Sequence, residues 1–246
     1  MSQQYQRGYD PQLQEMALPF EPAALAEASE RALFIKRTYL HVAGALVAFA
    51  GVLTLFVSIA PPELVKTVMS GRITWLIVMG LFMVGSAVAN RMAMPGLPMT
   101  TQYMGLGLMV LLQALIFTPL VWLVGAIDGS FNIIYQAAIL TLALAGGLTL
   151  SVLFTKKDFS FLGPIISIGC MVMLAAIVVS FIFPINLGFW FCLGVIALMS
   201  AAILYQSSMV VHHYPTTGYV GAALGVYAAI MTMFWYVIQA LLLSRR

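Results

Sequence analysis

Residues 159–244 form a run of 86 residues without a single Asp, Glu, Lys or Arg. A water-soluble domain cannot be built that way, because its surface needs charged side chains for solvation. A lipid-facing chain can. Hydrocarbon also demands that backbone N–H and C=O groups pair within the protein, which leaves helices or closed barrels. Barrel strands alternate apolar and polar residues over about ten positions. The runs here are continuously apolar and about twice as long, so helices follow.

The rest of the chain agrees, with 62% hydrophobic and 8% charged residues; globular proteins average about 25% charged. A helix crosses the bilayer with about 20 apolar residues. Seven stretches qualify, at about 38–59, 73–89, 103–124, 133–154, 161–183, 187–210 and 219–243. The expected fold is therefore an all-α integral membrane protein. It is a bundle of seven transmembrane helices (residues 38–246) behind a polar tail (residues 1–37). Little chain remains for a second soluble domain.

The tail holds Asp10, Glu15, Glu21, Glu27 and Glu30 among its charges, and lacks the basic start and short apolar core of a secretory signal. The first span then acts as an uncleaved anchor. Pro22 and the alanine-rich residues after it suggest a short amphipathic helix at the membrane surface, or a tail that docks a partner. With the tail inside, the inner flanks carry Arg31, Lys36, Arg37, Arg91, Lys156 and Lys157, and the outer flanks Lys66, Arg72, Arg245 and Arg246. The bias favours a cytoplasmic N-terminus. The bases are too scattered for nucleic acid. Cys170 and Cys192 fall inside spans and read as small buried hydrophobes.

Span seven carries the clearest packing pattern. Gly218, Gly221, Ala222, Gly225, Ala228, Ala229 and Thr232 recur at three- and four-residue spacing. Small residues let helices approach closely, so this span belongs at the bundle centre, with Gly221 and Gly225 as its packing glycines. Ala143, Gly146 and Gly147 repeat the theme in span four.

Polar residues at depth are few: Gln113, Gln136, Gln206, Ser207, Ser208 and Gln239. They serve either as interhelical hydrogen-bonding groups or as neutral pore ligands, together with carbonyls freed near Pro119 or Pro164. His212 and His213, in the loop before Tyr214-Pro215, are candidate pH sensors because imidazole changes charge near neutrality. A zinc site there would need further ligands, and none is near in sequence. No nucleophile-elbow, zincin, P-loop or dinucleotide motif stands in usable context. His41 has no evident acid–base partner. The chain reads as a non-enzyme without metal or cofactor.

The segment Thr155-Lys156-Lys157-Asp158-Phe159-Ser160-Phe161-Leu162-Gly163 resembles the Bax inhibitor-1 family. Supporting stretches are Gln136 to Ala138, Gly146 to Leu150, Phe34-Ile35-Lys36-Arg37-Thr38-Tyr39, Leu204-Tyr205, Tyr219 and Tyr227. The likeness spans roughly residues 30–243 and is greatest to bacterial members. It implies a seven-helix bundle in the inner membrane, a cytoplasmic N-terminus and a central last helix. It also implies a pH-sensitive calcium leak and, in bacteria, modulation of a membrane quality-control protease.

The resemblance attributes the leak to two aspartates, and those positions hold Gln206 and Ala229 here. The basic residue that would pair with them in span two is missing from residues 75–89 as well. Calcium needs several oxygen ligands with anionic charge, and an amide and a methyl cannot titrate. The expectation is a bundle without the acid-based calcium switch. It would act through lipid and membrane-protein contacts, a membrane-bound protease among them. The alternative is a leak channel or transporter with neutral ligands.

Overall fold

A computed structural model describes residues 22–155, 157–183 and 187–245. Among the described residues there are eight helices: α1 (Ala28–Ile59), α2 (Pro62–Ser70), α3 (Arg72–Met92), α4 (Met99–Asp128), α5 (Asn132–Thr155), α6 (Leu162–Ile182), α7 (Gly188–His212) and α8 (Tyr219–Ser244). Seven are long and apolar enough to cross a bilayer. The expected spans match them to within a few residues at nearly every boundary. The exception is the start of α1.

The proposed surface helix beginning near Pro22 does not exist as a separate element. Residues 22–27 form a turn, and α1 then runs from Ala28 through residue 38 to Ile59 without a break. Its buried stripe, Phe34, Thr38, Val42, Ala45, Phe49 and Leu53, steps by threes and fours across the expected boundary. One continuous face therefore packs from tail into membrane. The short α2 is a second addition. Its nine residues cannot span a membrane. Pro62 opens it, where a missing N–H costs nothing, and Val65 is its buried anchor.

The last helix occupies the centre. In its most apolar stretch 61% of residues are buried, against 0% for α6. It packs on α1, α4, α5 and α7, while α6 leans on α7 from outside. Aromatic rings lock one half of the centre: Phe117 of α4 stacks on Phe234 at 5.4 Å and meets Trp235 edge-on at 5.1 Å. Pro119 lies inside α4 without interrupting it. Pro164 sits in the first turn of α6, where N–H groups lack helical acceptors anyway, so it frees no carbonyl at depth.

The elements that gather at one end of the bundle are residues 22–27, 93–98, 157–161 and 213–218. The Ala23 N–H donates to the Tyr214 carbonyl at 2.8 Å, and Pro22 pairs with Pro215. At the opposite end, Gly129 closes α4 in the left-handed conformation (φ 61°), its N–H donating to the Gly125 carbonyl.

Candidate functional site

The last two turns of α7 meet the first half of α8 just inside the Ala23–Tyr214 end. Gly225 exists here for a steric reason. A Cβ at that position would lie 2.8 Å from Gln206 Oε1, so the amide rests in the space a side chain would fill. Gly221, one turn earlier, faces something else: a Cβ there would collide with the backbone carbonyl of Ala93, after α3. The two glycines thus admit two different neighbours rather than one paired helix. Ala229, one turn beyond Gly225, is 8% exposed. Gly146 and Gly147 are different again: a Cβ on either meets nothing within 4 Å. The small-residue stripe of α5 is lipid-facing at those positions, not a packing face.

Around this contact the polar groups are neutral. Ser207 is fully buried, its hydroxyl 3.4 Å from that of Thr149 on α5. The Tyr39 hydroxyl lies beside both, buried and without a well-formed hydrogen bond; the Tyr227 hydroxyl is likewise buried and unpaired. Among the described residues no Asp, Glu, Lys or Arg is buried. Two grooves open on the flanks of the bundle, of about 610 and 590 Å³, and neither is lined by Gln206.

The other glutamines are scattered. Gln113 is buried in α4 at 5% exposure. Gln239 is partly buried in α8. Gln136 stands exposed at the far end of α5, where its carbonyl accepts from Arg245 at 2.8 Å. A buried amide that composition does not single out is Gln102, which donates to the Leu97 carbonyl at 2.9 Å and ties down the α3–α4 turn.

The histidine pair is not a free loop. His212 is the final residue of α7 and His213 its C-cap. An acid is near after all, supplied by the α5–α6 connection. Asp158 Oδ1 accepts from the Ser160 N–H at 2.8 Å, a local turn that Asp favours. The same oxygen accepts from the Ser208 hydroxyl at 3.1 Å, while that hydroxyl accepts from the Phe159 N–H at 2.8 Å. His213 Nε2 stands 3.4 Å from Asp158 Oδ2. Ser208 is fully buried although Asp158 is exposed. The result is a latch that fastens the α5–α6 connection to the end of α7.

This constellation of Ser, His and Asp is not a nucleophilic relay. His212 Nδ1 lies 3.1 Å from the Ser208 carbonyl, which can only accept, so that nitrogen carries the proton and cannot take one from Ser208. The serine hydroxyl, not the imidazole, stands between the other two groups. Among the described residues, no group of three or more His, Cys, Asp or Glu is placed to hold a metal.

The Asp158 carboxyl is held well below its ordinary value, at about 2, chiefly by the Ser160 N–H, with further hydroxyl and imidazole bonds outweighing slight desolvation. Since the folded value is depressed, the carboxylate's contribution is present above the ordinary range near 3.8 and is lost only as pH falls through about 2. Asp158 therefore stays charged at physiological pH. Asp158→Ala is expected to abolish hydrogen-exchange protection of the Ser160 amide, whose acceptor it removes, and Ser208→Ala that of the Phe159 amide. The stability cost of Asp158→Ala stays below about 1 kcal/mol because the pair with His213 is solvent-screened. Unchanged protection of those amides would refute the latch.

Comparison with known sequences settles the lineage. The profile described as inhibitor of apoptosis-promoting Bax1 matches residues 31–246. The chain belongs to that Bax1-inhibitor family. An uncharacterized protein from Pseudomonas aeruginosa is 35% identical to it over 109 residues, 44% of this chain and 49% of that relative. The match thus spans about half the relative's length. The Bax1-inhibitor profile begins at Arg31, inside α1 and before its membrane part. All but the first three residues of the unbroken helix thus fall within the matched region. The same profile covers Gln206, Ala229 and the Asp158 latch.

Proposed function

We propose that this chain is a non-enzymatic modulator of other membrane proteins, acting by contact within the inner membrane, its N-terminus cytoplasmic. It lacks an acid-based calcium and pH switch. The observation that carries this reading is the Gln206–Gly225 contact in a centre without a buried carboxylate. The amide offers a cation one neutral oxygen and Ala229 offers none, too little for calcium. A membrane-bound protease is the partner class that the resemblance to bacterial members of the family implies. The orientation rests on Arg31, Lys36, Arg37, Arg91 and Lys157 standing at the latch end.

One observation favours a second reading, a leak through neutral ligands: the unpaired buried hydroxyls of Tyr39 and Tyr227 would suit ordered water. Liposomes loaded with a calcium indicator separate the two. The expected result is a calcium flux at the level of empty liposomes at pH 6 and pH 8, with co-purification of an integral membrane protein from native membranes. A calcium leak above that of empty liposomes would sink the modulator reading, a pH-independent one favouring neutral ligands and one that changes steeply with pH revealing an acid-based switch.

A further inference from the structure

Between α1 and α4 a trough of about 610 Å³ runs along the flank of the bundle. Its floor is Ala45, Leu106 and Val110, each at most 8% exposed. Its walls are low because Gly44 and Gly107 have no side chains; a Cβ on either would meet nothing within 4 Å. Along α1 it extends from Leu40 to Val52, ~18 Å at the helical rise. That is about the depth of one leaflet of a roughly 30 Å hydrocarbon core.

The trough is polar at one end alone. There His41 Nδ1 donates to the Arg37 carbonyl at 2.7 Å, and His41 Nε2 lies 2.9 Å from the Tyr103 hydroxyl. That hydroxyl is 3.5 Å from the hydroxyl of Tyr219, over whose ring the Arg37 guanidinium stands at 5.8 Å. Arg37 is exposed, and among the described residues no carboxylate pairs with it. Tyr219 opens α8 and Tyr103 lies in the second turn of α4, and Arg37 and His41 meet them from within the longer α1, on the level where lipid headgroups meet tyrosine and arginine.

We propose that the trough binds an anionic glycerophospholipid, one acyl chain lying over Gly44 and Gly107 and the phosphate meeting Arg37 and Tyr103. Charge decides the headgroup. A lone guanidinium with its fork of donors suits a phosphate oxyanion, and a zwitterionic lipid brings a compensating cation against it. Length and apolarity decide the rest of the molecule. A free phosphate would leave the trough unused.

The test uses the full chain in non-ionic detergent, analysed by native mass spectrometry. Phosphatidylglycerol, phosphatidylcholine with the same acyl chains, and inorganic phosphate are added at equal concentration. One phosphatidylglycerol is expected to be retained about tenfold over phosphatidylcholine, the worth of a charge-assisted hydrogen bond, with no phosphate adduct. Arg37→Gln should erase that preference. The double variant Gly44→Leu, Gly107→Leu should release both lipids while keeping wild-type helicity, since the new side chains enter open space. Equal retention of the two lipids by the wild type would reduce the trough to ordinary lipid contact and overturn the proposal. So would wild-type retention by the filled variant, or a phosphate adduct alone.

Discussion

Gly221→Leu is expected to prevent assembly of the bundle, and Gly221→Ala to cost about 1–3 kcal/mol, the usual penalty of overpacking. A Cβ at 221 strikes the Ala93 carbonyl, and a backbone oxygen cannot swing aside as a flexible side chain would. The Ala93 N–H is itself committed to the Ala89 carbonyl at the end of α3, so the turn is held from both sides. Gly105 of α4 presses the same segment, its missing Cβ 2.7 Å from the Ala89 carbonyl. Relief of one contact therefore worsens another. Gly146→Ala is the control: its Cβ enters open space, and alanine favours helix by up to about 1 kcal/mol. Melting followed by size-exclusion fluorescence should rank Gly146→Ala at or above wild type, Gly221→Ala below it, and Gly221→Leu as aggregated. A Gly221→Leu protein that elutes and melts like wild type would refute the close approach of α8 to the α3–α4 turn.

The second large effect is expected on restoring acid to the centre. Gln206→Asp with Ala229→Asp places two carboxyl groups against α8 with no buried Lys or Arg among the described residues to compensate them. Burial and mutual repulsion both raise carboxyl pKa values, and the pair titrates as one coupled unit. A raised folded value means that the cost is absent below the ordinary carboxylate range near pH 4 and grows as pH rises through it. The double variant should therefore come nearest to wild-type stability at about pH 3.5, below the unfolded carboxyl range. It should be several kcal/mol weaker at pH 8, the scale of an uncompensated buried charge. Wild type should show no such slope from this site. Melting profiles at the two pH values check it, and a flat profile for the double variant would show the site to be open to water.

Much of the architecture could be read from residue order because lipid imposes a coarse rule. Each of the seven long apolar runs had to become a helix, and the glycine and alanine spacing of 218–232 pointed to the centre. What hydropathy could not register was anything short or composite. The nine residues of α2 fall below the length at which apolarity signals a span, though Pro61-Pro62-Glu63 is a fair helix opening. The charged start of α1 looked like a separate tail because composition changes near residue 38, whereas its buried stripe does not. Gly146-Gly147 and Gly221-Gly225 look alike in one dimension; only the neighbours tell them apart. The site was legible in part. Gln206 and Ala229 could be singled out from the family pattern, and Gln206 lies against the small-residue helix. The partners of His213 and His41 could not, since Asp158 and Tyr103 stand 55 and 62 positions away in the chain. No periodicity reports a contact of that range.

The unbroken first helix has a mechanical consequence. Its 32 residues make a rod of ~48 Å, longer than the roughly 30 Å of hydrocarbon it must cross. With no hinge along the way, a pull or twist at Ala28 cannot be absorbed at the headgroups. It arrives at Phe49 and Leu53 as movement of the whole shaft, and through Phe49 it reaches the ring of Phe117 at 5.2 Å. Whatever grips the polar end of this protein gains a lever on its aromatic heart.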